Sequence, residues 1–159
     1  MTDAERRAIE QDCARLVVAF HLYVDAYDHE KVLDLFTEDA DIDHCVVGLL
    51  RGKAGIAAYF NAKDTTTISQ HVTTNVLIDV IDETHARGIS YWTVYISTAA
   101  PLPAPMGGPA SVGLNEDRFI RTPAGWKFQH RRQVPRLTAS DLGRTALLKG
   151  GAQEIEEPV

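Results

Sequence analysis

The sequence predicts an α+β domain, with helices gathered at its N-terminal end and a meander of strands after them. Two periodicities support this. Over residues 3–27 the apolar positions Ile9, Cys13, Leu16, Val17, Phe20, Val24 and Tyr27 recur at helical spacing. After residue 67 the period falls to two, in four β-branched runs at about 68–81, 86–98, 111–121 and 126–134. The third observation is size. The 159 residues, 45% of them hydrophobic, suffice for one domain with a substantial core.

The elements follow in order. The first is a long amphipathic helix from Asp3 to Tyr27. Asp28 reads as the N-cap of a shorter helix, with Val32, Leu35 and Phe36 as its buried stripe. The acidic run TEDADID ends it and opens a strand or short hairpin. There Ile42, His44 and Val46 alternate with Asp41, Asp43 and Cys45 before a turn at Gly48. RGKAG leads into a third helix over Ile56 to Phe60. Asp82-Glu83-Thr84 and Thr122-Pro123-Ala124-Gly125 read as hairpin turns. Between the middle strands, AAPLPAPMGGPASVG reads as a loop, and its length makes it a candidate lid. One possible short helix, around Ser140 to Leu148, lies in the tail.

Composition narrows the partners. A net charge of −6 and a pI near 5.4 give none of the basic footprint that nucleic acid requires. No apolar run approaches the roughly 20 residues that span a bilayer, and MTDAERRAIEQD has no apolar core of a signal peptide. Two cysteines without CxxC spacing predict neither a disulfide scaffold nor zinc, and point to a reduced, cytoplasmic setting. GxSxG, P-loop, GxGxxG and HExxH motifs are absent from the sequence. No metal and no cofactor are expected.

A helix-covered sheet can enclose a ligand pocket between its layers. Asp25 falls on a helical ridge with Ala14, Val18 and Leu22; it is either a carboxylate facing a pocket or a solvated residue at the helix end. His44 shares its strand face with Ile42 and Val46, as a core histidine or a pocket one. His71, in QHVTTN, shares its face with Ser69, Thr73 and Asn75. Strict alternation turns that face to solvent, unless the face lines a polar pocket or a bulge inverts the strand. Asn115 is an amide able to hold a substrate oxygen. Tyr23, Tyr91 and Tyr95 are packing residues or hydroxyl donors, and His130 sits on the face of Trp126 and Phe128. His21, His29 and His85 read as solvated.

The pattern Asp25-x-x-Asp28-x-x-x-Val32-x-x-Leu35-Phe36-Thr37-x-Asp39-Ala40, continued by RGKAGIAAYF, QHVTTN and EDRFIRTPAGWKFQHRR, resembles SnoaL-like domains of the nuclear transport factor 2-like superfamily. Within that superfamily it is most similar to the scytalone dehydratase-like branch. The resemblance implies a cone-shaped α+β barrel, with three N-terminal helices packed on a strongly curved, mainly antiparallel sheet. It implies a SnoaL-like domain over 1–135 and a tail over 136–159 that could close the pocket. It matches Asp25 to the aspartate of the D-x-x-D pattern and His71 to a catalytic histidine in a Gln-His pair. Asn115, eleven residues before Trp126-Lys127-Phe128, matches a substrate-contacting asparagine. The sequence also departs from the pattern: a pocket tyrosine falls on His44, the tyrosine beside the aspartate is Val24, and a second histidine falls on Tyr95.

The expectation is therefore a cofactor-free lyase of dehydratase type acting on a small hydrophobic cyclic or aromatic hydroxylated compound. Asp25, His71 and His44 would be catalytic; Asn115, Tyr95, Tyr23 and His130 would bind substrate. An isomerase or polyketide cyclase, or a non-catalytic ligand-binding or assembly subunit, would use the same fold. A dimer or trimer formed through the sheet is expected.

Overall fold

A computed structural model describes residues 1–98 and 101–139. Its first element, α1 (Asp3–Asp25), starts at a capping box. The Thr2 side chain accepts from the Glu5 backbone N–H, and the Glu5 carboxylate accepts from Thr2. Asp28 caps α2 (His29–Asp34) by accepting from the Lys31 backbone N–H at 3.3 Å. The strands are β1 (Phe36–His44), β2 (Gly48–Arg51), β3 (Ile68–Val80), β4 (His85–Ser97), β5 (Ser111–Thr122) and β6 (Gly125–Thr138), with α3 (Gly52–Asn61) between β2 and β3.

Two details differ from expectation. Phe36 opens β1 instead of closing the second helix; its backbone is extended while its side chain, 1% exposed, still enters the core. Val46 lies beyond β1 in the turn to β2 and is exposed. The predicted tail helix lies outside the described residues, and the first residues of the tail extend β6 to Thr138.

The six strands form one sheet in the order β2-β1-β6-β5-β4-β3. All neighbours are antiparallel except β1 and β6, so the sheet is mixed. Its edge strands, β2 and β3, do not pair, and it stays open. The three helices pack on it: α1 lies along β3 and reaches β4 and β6, and α3 packs on β1. α1 supplies Ile9, Cys13, Val17, Phe20 and Val24, at the three- and four-residue spacing that makes one stripe. They meet Ala40 and Ile42 of β1, Ile78 and Val80 of β3, Phe119 of β5 and Phe128 of β6. Small residues permit the closest approaches. A Cβ at Gly113 would lie 2.5 Å from the Trp92 ring and 2.5 Å from the Val134 carbonyl oxygen, so the indole packs against β5 where the strand has no side chain.

Candidate active site

The side that His71 faces is set by a bulge in β3. Thr74 pairs with Tyr91 and Leu77 with Ile89, so β3 advances three residues while β4 advances two. The extra residue is accommodated at Asn75, whose φ of 52° lies in the left-handed region that asparagine tolerates. Strict alternation would put His71 and Ile78 on opposite faces. The bulge puts both inside. His71 and Thr73 pair with the buried Val94 and Trp92, and Ile78 and Val80 pair with the buried Gly88 and Ala86.

Asp25 closes α1. Its inward ridge is Val17–His21, not Ala14–Val18–Leu22, since Val18 and Leu22 are 53% and 64% exposed. Its carboxylate accepts three hydrogen bonds: from the His71 backbone N–H at 2.6 Å, from His71 Nδ1–H at 2.6 Å and from the Ser69 hydroxyl at 2.8 Å. Burial pushes the Asp25 carboxyl up, but the bonds from His71 and Ser69 and the His71 charge outweigh it, and the pKa falls below the ordinary carboxylate value. The carboxylate can only accept, so it fixes the His71 tautomer. In the neutral ring Nδ1 carries the proton and Nε2 keeps its lone pair.

His21, expected to be solvated, is buried at 3% exposure. Its ring stacks on His71 at 4.6 Å and 3°, and its Nδ1 lies 2.7 Å from Thr73 Oγ1. Burial, with the charges of His71 and Arg131, drives its pKa well below 6.5 and keeps the ring neutral. The sequence signal for His21 was its place four residues before Asp25 on the same helix ridge.

His44 points inward from β1 with Ala40 and Ile42. Its Nδ1 accepts from the Val46 backbone N–H at 3.1 Å, and its Nε2 lies 2.8 Å from Tyr59 Oη. Burial lowers it to about 4, helped by the charges of Lys63 and His71. Lys63 holds its ammonium 5.6 Å from the ring centres of Tyr59 and Phe60. Burial lowers the Lys63 pKa against the opposing pull of Asp25. Asn115 is fully buried and donates to Ser90 Oγ at 3.3 Å. Behind it, Arg131 and Asp117 form a bidentate pair at 2.8 Å, each with a fully buried side chain. The Arg131 guanidinium lies 4.3 Å from the ring centres of both Phe20 and Phe128.

Three expected contact residues are not brought to this cluster. Tyr95 pairs with Gln70 on the outer face, because β4 alternates without a bulge and its inner positions are Ala86, Gly88, Ser90, Trp92 and Val94. His130 is turned outward by a second bulge. Phe119 pairs with Phe128 but Arg118 pairs with His130, so Arg131 takes the inward place. Tyr23 lies on another side of α1 from Asp25, with the Lys31 ammonium 5.5 Å from its ring centre. Two open depressions lie away from the cluster. One is on the outer sheet face, between Leu77, Arg87, Arg118 and His130; the other runs along α1 at Val18, Leu22 and Tyr23. Neither touches Asp25 or His71, and the convergence of ionisable groups makes the interior the candidate site. Among the described residues no group of three or more His, Cys, Asp or Glu is placed to hold a metal ion, and no helix is long and apolar enough to cross a membrane.

Comparison with solved structures places the fold among known ones. A Novosphingobium aromaticivorans protein provisionally designated scytalone dehydratase superimposes with a TM-score of 0.73 at 17% identity, over 87% of this chain and 91% of that one. Rv3472 of Mycobacterium tuberculosis, a protein of unknown function, gives 0.70 at 26% identity, over 82% and 78%. A hexachlorocyclohexane dehydrochlorinase, LinA type 2, gives 0.72 at 14% identity, over 87% and 92%. Comparison with curated protein sequences gives no match. The profile of the SnoaL-like domain matches residues 5–132.

Proposed function

This chain belongs to the SnoaL-like domain family, and on that premise we propose that it is a cofactor-independent lyase. It would remove a proton and a leaving group, water in the favoured case, from a small hydrophobic cyclic or aromatic hydroxylated compound. The observation behind this reading is the pair of 2.6 Å hydrogen bonds from one residue, His71, to the Asp25 carboxylate. They fix the ring with Nε2 as the free base, and the carboxylate stabilises the imidazolium formed when Nε2 takes a proton from carbon. The C–H electron pair becomes the new double bond, the C–O bond breaks, and the leaving hydroxide takes the proton from His71 to depart as water. Asn115, buried beside Ser90, would hold a substrate oxygen. Elimination is also the reaction named for the dehydrochlorinase that shares this fold. The reading extends to a homo-oligomer associated through the outer sheet face, where Val72, Leu77, Ile89 and Tyr91 are exposed. It also includes a lid role for the tail and the Pro-rich loop.

The test is a panel of cyclic hydroxy-ketones and hydroxylated aromatics in deuterated water, followed by mass spectrometry for loss of water and for exchange at carbon. His71→Ala and Asp25→Asn should each lower turnover by about 10²–10⁴-fold, the usual worth of positioned acid–base groups, in a protein that still folds cooperatively. Exchange without loss of water would make the protein an isomerase. Neither exchange nor loss across the panel would make it a binding protein.

A further inference from the structure

Two histidines of this interior are held in opposite tautomers, and the second identifies a donor that sequence reasoning missed. A backbone N–H can only donate, so the bond from Val46 to His44 Nδ1, 3.1 Å long, leaves that nitrogen without a proton. The proton of the neutral ring is then on Nε2. It must be donated to Tyr59 Oη, 2.8 Å away. Tyr59 therefore accepts from His44, and its own hydroxyl hydrogen needs another acceptor. Among the described residues, His44 is the only side-chain or backbone partner at hydrogen-bond distance from that oxygen.

We propose that Tyr59 is the donor that binds the substrate's oxygen, and that the substrate carries a carbonyl or phenolate oxygen conjugated to the C–H bond that His71 attacks. As a statement about chemistry this rests on the proton-transfer reading; as a statement about binding it rests on hydrogen-bond direction. Burial supports it on both sides. His44 is lowered to about 4 and so stays neutral, while Tyr59 is raised to about 12 and so keeps its proton. The two rings lie 4.7 Å apart, and the Lys63 ammonium over the tyrosine face favours negative charge on a bound oxygen. Proton removal at carbon would push charge onto that oxygen as the Tyr59 hydrogen bond strengthens, while Asp25 and His71 act at the other end. His44 is then a positioning residue that never meets the substrate, and the catalytic part expected of it passes to the hydroxyl of α3.

Two measurements test this. Nitrogen-15 NMR of the His44 ring at neutral pH should show Nε2 protonated and Nδ1 bare; a ring protonated at Nδ1 would overturn the proposal. Titration with 4-nitrophenolate, read by its visible absorbance, tests the donor. Tyr59→Phe should weaken binding about tenfold, the loss of one hydrogen bond to a charged oxygen. The affinity for 4-nitrotoluene, which has a methyl group in place of the oxygen, should not change. Equal 4-nitrophenolate affinities for wild type and Tyr59→Phe, or no saturable binding to the wild type, would also overturn it. His71→Ala should keep the wild-type preference for the phenolate, so failure of the proton-transfer reading appears in turnover and failure of this one in binding.

Discussion

Phe36, Phe119 and Phe128 occupy one half of the inner sheet face, with ring centres 5.0 and 5.1 Å from Phe128 and exposures of 0–1%. His71, Trp92, Ser90 and Asn115 occupy the other half, on neighbouring strands of the same sheet. The first half is saturated by aromatic edges and aliphatic side chains. Of the buried polar atoms without partners among the described residues, Trp92 Nε1 and Asn115 Oδ1 lie in the second half and Arg131 Nη1 at its border, while His29 Nε2 and Thr37 Oγ1 lie outside it. Such atoms cost stability where they are left unpaired, which is why they are rare away from functional sites. The difference teaches that one sheet does two jobs. Its floor holds the fold and its mouth is held by the floor, through the Arg131 guanidinium between Phe20 and Phe128.

The largest effect should come from breaking the floor. Phe128→Ala removes a side chain with 0% exposure from the centre of the aromatic group. It should cost about 3–5 kcal/mol of unfolding free energy in urea titrations. The site variants at His71 and Asp25 should lose turnover instead. A Phe128→Ala protein as stable as wild type would mean that the two halves do not divide the labour as described.

Acid should act on the mouth and not on the floor. His21 and His44 are both depressed below 6.5, so between that value and their folded values the unfolded chain binds protons that the folded chain does not. Their contribution is complete above pH 6.5 and is lost as pH falls. For His44, lowered to about 4, the full loss is on the order of 3 kcal/mol. Asp25 is also depressed, and its contribution is lost only below 3.8. Urea midpoints should therefore fall between pH 7 and pH 5, and His44→Gln should fall less steeply than wild type. A profile unchanged by that substitution would place the acid sensitivity elsewhere.

The two halves were not equally legible in the sequence. The floor follows from simple periods: Ile9, Cys13, Val17, Phe20 and Val24 on α1, and the alternation of β4, both hold in the structure. The mouth depends on two bulges. An extra residue near Asn75 turns His71 inward, and another near Gln129 turns His130 outward and Arg131 inward. Alternation has no way to register an inserted residue, so it misplaced both histidines. The contact between Asp25 and His71 was legible only through resemblance, since 46 residues separate the two. Tyr59 was missed because a tyrosine on an amphipathic helix reads as packing, and only the Val46–His44 bond reveals the direction of its hydroxyl.

The smallest expected effect tests the bulge itself. Asn75 adopts a φ of 52°, a conformation that costs a β-branched residue about 1–2 kcal/mol more than asparagine or glycine. Asn75→Gly should therefore stay close to wild type in stability, and Asn75→Val should lose about that amount. The loss should be unevenly spread. Ile78 and Val80 are anchored in the apolar floor, whereas Ser69, His71 and Thr73 are held by hydrogen bonds to Asp25 and His21. Strain at the junction should loosen the weaker side, so amide exchange should rise at His71 and Thr73 before it rises at Ile78. Equal protection across the bulge, or Asn75→Val as stable as Asn75→Gly, would show that the left-handed residue does not hold the two halves of β3 in register.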